Sequence, residues 1–189
     1  MIRVGLFVIA SMLLAHVSKA SLRRWRAHGF YRFLAWEFIL LLSLLNFRGV
    51  EQWFGDPASW RQLASWILLF GSIVPAVWGA HLLRSRGGAL AARDDRELLA
   101  FERTTRLVTA GIYKYIRHPM YASQWLWVIA QVLLLPNWLA GVGGLLLFLP
   151  LYFVRVPLEE QMMLAQFGEQ YRAYMQRTGR VLPRLGGRP

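Results

Sequence analysis

The chain has 189 residues, 56% of them hydrophobic, and a formal net charge of +12. Soluble domains rarely combine that apolar content with that excess of Arg, and the basic residues lie between long apolar runs, so composition points to a bilayer and away from nucleic acid. The absence of cysteine excludes disulfides, thiolate catalysis, iron–sulfur clusters and cysteine-ligated zinc.

Taken in chain order, the first apolar run is Val4 to Val17, preceded by Arg3 and followed by Ser18-Lys19-Ala20. A cleavable signal peptide has the same outline. Cleavage would leave Arg23, Arg24 and Arg26 on the exported side, where dense positive charge resists translocation, so retention as a span is expected. The second run, Phe33 to Phe47, contains Glu37; an acid inside a span is a functional hypothesis by default, and pairing within the bundle is its structural alternative. Leu63 to Leu83 carries no formal charge and is the clearest span, since a crossing helix needs roughly 20 apolar residues. Pro119 to Val154 is also free of Asp, Glu, Lys and Arg. It is too long for one crossing and suits two joined at Pro136-Asn137-Trp138.

The expected fold is therefore all-α: a polytopic membrane protein of about five transmembrane helices with a C-terminal amphipathic cytoplasmic helix. Residues 1–189 form a single integral membrane domain, with the N-terminal spans and a cytoplasmic loop in 1–106. The basic loops at Lys19 to Arg32, Arg84 to Arg117 and after Val154 belong inside, which puts the N-terminus out and the C-terminus in the cytoplasm. Arginine in preference to lysine points to a bacterial source, hence an inner membrane.

Two segments carry chemistry on that inner face. "GIYKYIRHPMYAS", Gly111 to Ser123, places Arg117 and His118 directly before a proline suited to a helix's first turn, among Tyr113, Tyr115 and Tyr121. An aromatic and basic headgroup belt is the bland account. Val156-Pro157-Leu158-Glu159-Glu160 reads as a helix start, and Glu160, Leu164, Phe167, Tyr171 and Tyr174 continue as one stripe at helical spacing. Gly168 weakens such a helix and hints at a close neighbour. Asp94-Asp95, flanked by Arg93 and Arg96 and followed by Leu98, lacks the further acid of a magnesium-diphosphate site and reads as a solvated face. His16, His28 and His81 form no ligand spacing, and no metal is expected.

"LVTAGIYKYIRHPMYAS" followed by "EEQMMLAQFGEQYRAYMQRTGRVLP" resembles the isoprenylcysteine carboxyl methyltransferase family of integral membrane enzymes. The resemblance covers residues 107–183; it departs at Ser123, where many members have glycine. It implies methyl transfer from S-adenosyl-L-methionine to a lipophilic or prenylated acceptor such as an isoprenylcysteine carboxylate. On that analogy Arg117, Glu159 and Arg180 are the catalytic candidates. Tyr113, His118, Pro119, Tyr121, Glu160, Tyr171 and Tyr174 are the cofactor-binding ones. Aromatic faces suit the sulfonium, acids the ribose and ammonium, and a cation the carboxylate. An NADPH-dependent reductase of the sterol-reductase type, a phospholipid or small-thiol methyltransferase and a non-catalytic accessory protein are the alternatives.

Overall fold

A computed structural model describes residues 2–22, 28–46, 58–88, 104–134 and 138–184. Among them the regular elements are helices: α1 (Ile2–Val17), α2 (Lys19–Leu22), α3 (His28–Asn46), α4 (Trp60–Arg86), α5 (Pro119–Leu134) and α6 (Trp138–Arg177), with a 3-10 turn at Gly111–Lys114. The all-α expectation holds. Among the described residues α4 is the one helix long and apolar enough to cross a membrane, while α1 and the Phe33–Leu44 part of α3 are apolar but shorter. The turn expected at Pro136-Asn137 and the Asp94-Asp95 pair lie outside the described residues.

The chain divides into two compact units. The first comprises Met1–Phe70 and Leu126–Val156. In it α1 meets α3, and Ser11 Oγ donates to Glu37 Oε2 at 2.8 Å. Glu37 thus has a partner on the neighbouring helix through Oε2, while its buried Oε1 accepts no hydrogen bond among the described residues. The start of α4 is tied to the end of α5 by two side chains that reach backbone carbonyls: Arg61 Nη2 to Leu133 at 3.2 Å and Ser65 Oγ to Ala130 at 3.0 Å. Ser65, Val128 and Ala130 are fully buried.

The second unit comprises Gly71–Trp125 and Pro157–Pro189. The end of α4 receives the segment before α5: the Gly87 carbonyl accepts the Thr105 and Arg106 amides at 2.8 and 3.1 Å. Leu82, Val108 and Tyr113 form the buried cluster beneath, with Leu83 and Ile112 against it. Gln166 Nε2 on α6 donates to the Thr104 carbonyl at 2.8 Å, so α6 is fastened to the same segment.

α6 corrects the expected helix start. Pro157 does not begin a helix; it lies inside one that runs from Trp138. The proline's fixed φ fits a helix, and its cost is the amide that would have met the Phe153 carbonyl one turn back. The real interruption is Gly168, at φ 52° and ψ −127°. That backbone conformation is closed to residues with a Cβ. A Cβ on Gly168 would meet nothing within 4 Å, so the glycine is there for its backbone and not for a close neighbour. Beyond it the chain is redirected, and Tyr171 and Tyr174 are buried while Glu169 and Arg172 remain outside. Gly168→Ala is expected to destabilise the protein by about 1–3 kcal/mol through strain alone, read as a lower thermal midpoint in detergent.

Candidate functional site

The site begins as a backbone feature. Pro119 opens α5 and biases His118 toward extended geometry. Residues 115–118 use that geometry to pair with the chain just after α6. Ile116 forms an isolated parallel bridge with Gly179. The Gly179 amide donates to the Tyr115 carbonyl at 3.1 Å, and the Arg117 and His118 amides donate to the Gly179 and Arg180 carbonyls at 2.8 Å each. Gly179 has no substitute here, because a Cβ would stand 1.8 Å from the Leu182 carbonyl oxygen.

This bridge brings two arginines and a histidine around one acid. Glu160 Oε1 accepts from Arg117 Nε and Nη2 at 3.1 and 2.9 Å, and Arg180 Nη2 donates to Glu160 Oε2 at 2.7 Å. His118 Nε2 stands 3.5 Å from Glu160 Oε1, and Nδ1 stands 3.7 Å from Glu159 Oε2. The Glu160 and Arg117 side chains are 5% and 8% exposed, against 22% for Glu159 and 43% for Arg180. Burial by itself would raise the Glu160 pKa; contacts with His118, Arg180 and Arg117 outweigh it and hold the carboxyl at about 2.

The remaining Arg117 donor, Nη1, serves the backbone, bonding the Met175 carbonyl at 3.1 Å and the Thr178 carbonyl. Arg117 therefore closes the end of α6, where the last carbonyls lack helical partners. Its exposed counterpart in the cluster is Arg180.

Tyrosines form the apolar wall. Tyr174 Oη donates to the Tyr113 carbonyl at 2.6 Å, Thr178 Oγ1 donates to the Tyr174 carbonyl at 2.6 Å, and the Tyr171 and Tyr174 ring centroids are 5.8 Å apart. Tyr121 lies 5.4 Å from the His118 ring. Burial raises the Tyr171 and Tyr174 phenols above their ordinary value, reinforced at Tyr171 by the charges of Glu160 and Glu159. Both rings thus remain neutral π-faces at physiological pH. The headgroup-belt reading survives only for Tyr115, which is half exposed with Lys114 Nζ 5.9 Å from its ring centroid.

All ten residues singled out by sequence lie in this one unit. The structure joins Arg117, His118, Glu160 and Arg180 directly, sets Glu159 beside His118, and buries Tyr113, Tyr121, Tyr171 and Tyr174 around them. Pro119 is a framework residue, fully buried at the start of α5. Sequence reasoning missed Thr178 and Gly179. The Thr-Gly pair directly after a helix was the available signal, since glycine commonly terminates helices.

Comparison with known proteins follows the same stretch of chain. Residues 95–165 match the isoprenylcysteine carboxyl methyltransferase family. A protein-S-isoprenylcysteine O-methyltransferase of Homo sapiens is 34% identical over 132 residues, covering 68% of this chain and 46% of the relative. That of Tribolium castaneum is 36% identical over 109 residues, covering 57% and 39%. A probable one of Oryza sativa subsp. indica is 27% identical over 120 residues, covering 62% of each. The chain thus spans roughly two fifths to three fifths of the length of these relatives. The family resemblance carried by the two motifs is shown, and these relatives lend no support to the reductase, phospholipid, thiol or accessory readings.

The ion cluster sets a pH dependence. A carboxyl whose folded pKa is lowered from 4.5 to about 2 contributes stability that is complete above 4.5 and lost as pH falls toward 2. The shift corresponds to about 3 kcal/mol. Glu160→Gln is expected to destabilise the protein by about 3–5 kcal/mol at neutral pH, since it leaves the buried Arg117 guanidinium unmatched. The variant should also lose most of the wild-type slope between pH 4.5 and 2 in acid unfolding followed by tryptophan fluorescence.

Proposed function

We propose that the chain is an integral membrane methyltransferase that uses S-adenosyl-L-methionine to methylate the carboxylate of an isoprenylcysteine-like lipophilic acceptor. The observation that carries this reading is the convergence of the two motifs on one ion cluster: Arg117, His118 and Glu160, buried and inside the region that matches the family, with the more exposed Arg180 joining from beyond it. The printed names of the relatives supply the acceptor class.

Membrane residence is supported by α4. Trp60, Leu63, Ile67, Phe70, Val74 and Val77 leave one long face of that helix apolar and exposed. Trp78, also exposed, lies about 27 Å along the axis from Trp60. That separation of two exposed indoles matches the two interfaces of a hydrocarbon core about 30 Å thick. We extend this to about five crossings, with the N-terminus outside and the Arg117 and Arg180 cluster on the cytoplasmic side of a bacterial inner membrane.

The donor set fits the cofactor. His118 Nε2 is buried and makes no hydrogen bond, so the site retains unused polar capacity at its centre. When bound, S-adenosyl-L-methionine supplies a methyl group on a positively charged sulfur. Tyr121 and Tyr171 would face that charge with their rings. Glu159, the more exposed acid, would accept from the ribose or ammonium, and Arg180 would pair with a carboxylate. His118 would orient whichever group lies beneath it. Tyr113, Tyr174 and Pro119 hold the wall, and Arg117 with Glu160 fixes the two motifs against each other.

Catalysis on a carboxylate needs no general base, because the acceptor oxygen is already ionised at neutral pH. The protein's contribution is alignment for displacement at carbon and exclusion of water. The absence of a demand for proton transfer agrees with a cluster in which Glu160 is locked as a carboxylate.

The test is transfer of labelled methyl from S-adenosyl-L-methionine to an N-acetyl S-farnesylcysteine probe by detergent-purified protein, with donor binding followed by calorimetry. Glu159→Gln is expected to lower turnover roughly 10²-fold through misplacement of the donor, with an unchanged melting temperature. Donor binding without transfer to the probe removes the acceptor class, and no donor binding removes the methyltransferase reading.

A further inference from the structure

We propose that α4, which lies outside the family-matching region, is a positioning element of the site: the Ser72 carbonyl and Gly79 seat the first turn of α5 and thereby fix His118 against Glu159 and Glu160. Its consequence for turnover rests on the methyl-transfer reading above; its consequence for His118 itself rests on contacts alone.

Three contacts define the seat, all inside the second unit. Ser123 Oγ on α5 donates to the Ser72 carbonyl on α4. A Cβ on Gly79 would stand 2.9 Å from Pro119 Cγ, so the α4 backbone and the proline ring are in direct contact where α5 begins. Tyr113 Oη reaches the Gly79 carbonyl at 3.5 Å. Ser72 and Gly79 are seven residues apart, two helical turns, and present one face; Ser123 and Pro119 are four apart on the facing helix.

Pro75 sits between the two rungs, inside α4. It removes the amide that would meet the Gly71 carbonyl and presses its ring toward that turn. The local backbone around Pro75 is thereby less held by its own helix, and an interhelical hydroxyl on the neighbouring Ser72 carbonyl adds a restraint there. A backbone carbonyl has two lone pairs, so the Ser72 carbonyl accepts Ser123 without surrendering a helical bond. This gives a reason for serine where many family members have glycine: the hydroxyl secures α5 to a proline-interrupted helix.

From the seat, the contacts continue to the ion cluster. Tyr113 receives Tyr174 Oη on its carbonyl, the Tyr174 carbonyl receives Thr178 Oγ1, and the Thr178 carbonyl receives Arg117, which holds Glu160. Pro119 is bonded covalently to His118. Displacing the seat therefore moves His118 directly through Pro119, while Glu160 is reached only through the longer chain of Tyr113, Tyr174, Thr178 and Arg117.

The test uses the full chain in detergent, with His16→Gln, His28→Gln and His81→Gln so that His118 is the one imidazole. Modification of His118 by diethyl pyrocarbonate is timed beside kcat, KM for S-adenosyl-L-methionine and the melting temperature. His118 is 4% exposed on its side chain and is expected to react slowly in the parent. Gly79→Ala and Ser123→Ala should each speed modification severalfold and lower kcat roughly 10²-fold, with little change in melting temperature. Ser123→Thr, which keeps the hydroxyl, should restore protection and turnover relative to Ser123→Ala. If Gly79→Ala fails to fold, the Ser123 pair decides the matter. Unchanged His118 protection in Ser123→Ala overturns the proposal, as does a kcat loss without increased reactivity. Increased reactivity in a protein whose parent transfers no methyl group sustains the seat and defeats the methyl-transfer reading instead.

Discussion

Glu160 is the constraint from which the geometry of this site follows. A carboxylate almost wholly withdrawn from water persists only where its charge is matched and its oxygens are bonded. Here the matching comes from Arg117 and Arg180, one from before α5 and one from after α6, with His118 adjacent. The Arg117 guanidinium comes from the far side of the bridge and reaches the carboxylate where the two backbone segments lie side by side. The charge pairing and the short β-bridge at Ile116 and Gly179 therefore support each other. The cluster is also asymmetric: removing Glu160 leaves the buried Arg117 without a carboxylate, whereas Arg180 keeps contact with solvent.

Adjacent acids have been given different tasks by a rotation of about 100° around the helix axis. Glu160 points into the cations and is fixed as an anion, while Glu159 retains partial exposure and touches only the second nitrogen of His118 among the contacts described above. The same division separates the arginines, since Arg117 is buried and closes the end of α6, and Arg180 remains nearly half exposed. The two acids and the two arginines thus each divide into one buried framework member and one more exposed member. Exposure, more than residue type, distinguishes the groups available to a ligand.

Much of this was legible from the chain. Helical class followed from apolar run length, and the start of α5 from the His-Pro junction, because both depend on local constraints. The membership of the cluster was legible through the motif pair. Its internal contacts were not: Arg117 is engaged with Glu160 and with two carbonyls. No local rule shows which arginine a carboxylate 43 residues away will select. The helix start expected at Pro157 failed for a related reason. Proline at a first turn and proline inside a helix look alike in sequence, and the apolar residues before Pro157 continue the helix into it. Gly168, read as a sign of a close neighbour, marks instead a change of backbone direction.

Small residues on α4 illustrate why a hydropathy reading underdetermines a membrane helix. Ser65, Ser72 and Gly79 recur every seventh position within a run whose charge and apolarity simply say span. Their shared property is lack of bulk, which allows a neighbouring backbone close enough for a hydroxyl to reach a carbonyl. In the first unit that contact is Ser65 to Ala130; in the second it is Ser123 to Ser72, donated from the opposite helix. Hydrophobicity drives the residence of such a helix in the bilayer but does not choose its partner, because lipid tails are as apolar as leucine. The partner is chosen by these few polar contacts, and the second of them lies one turn beyond Pro119 and His118. The same packing that assembles the bundle therefore also sets the position of the site.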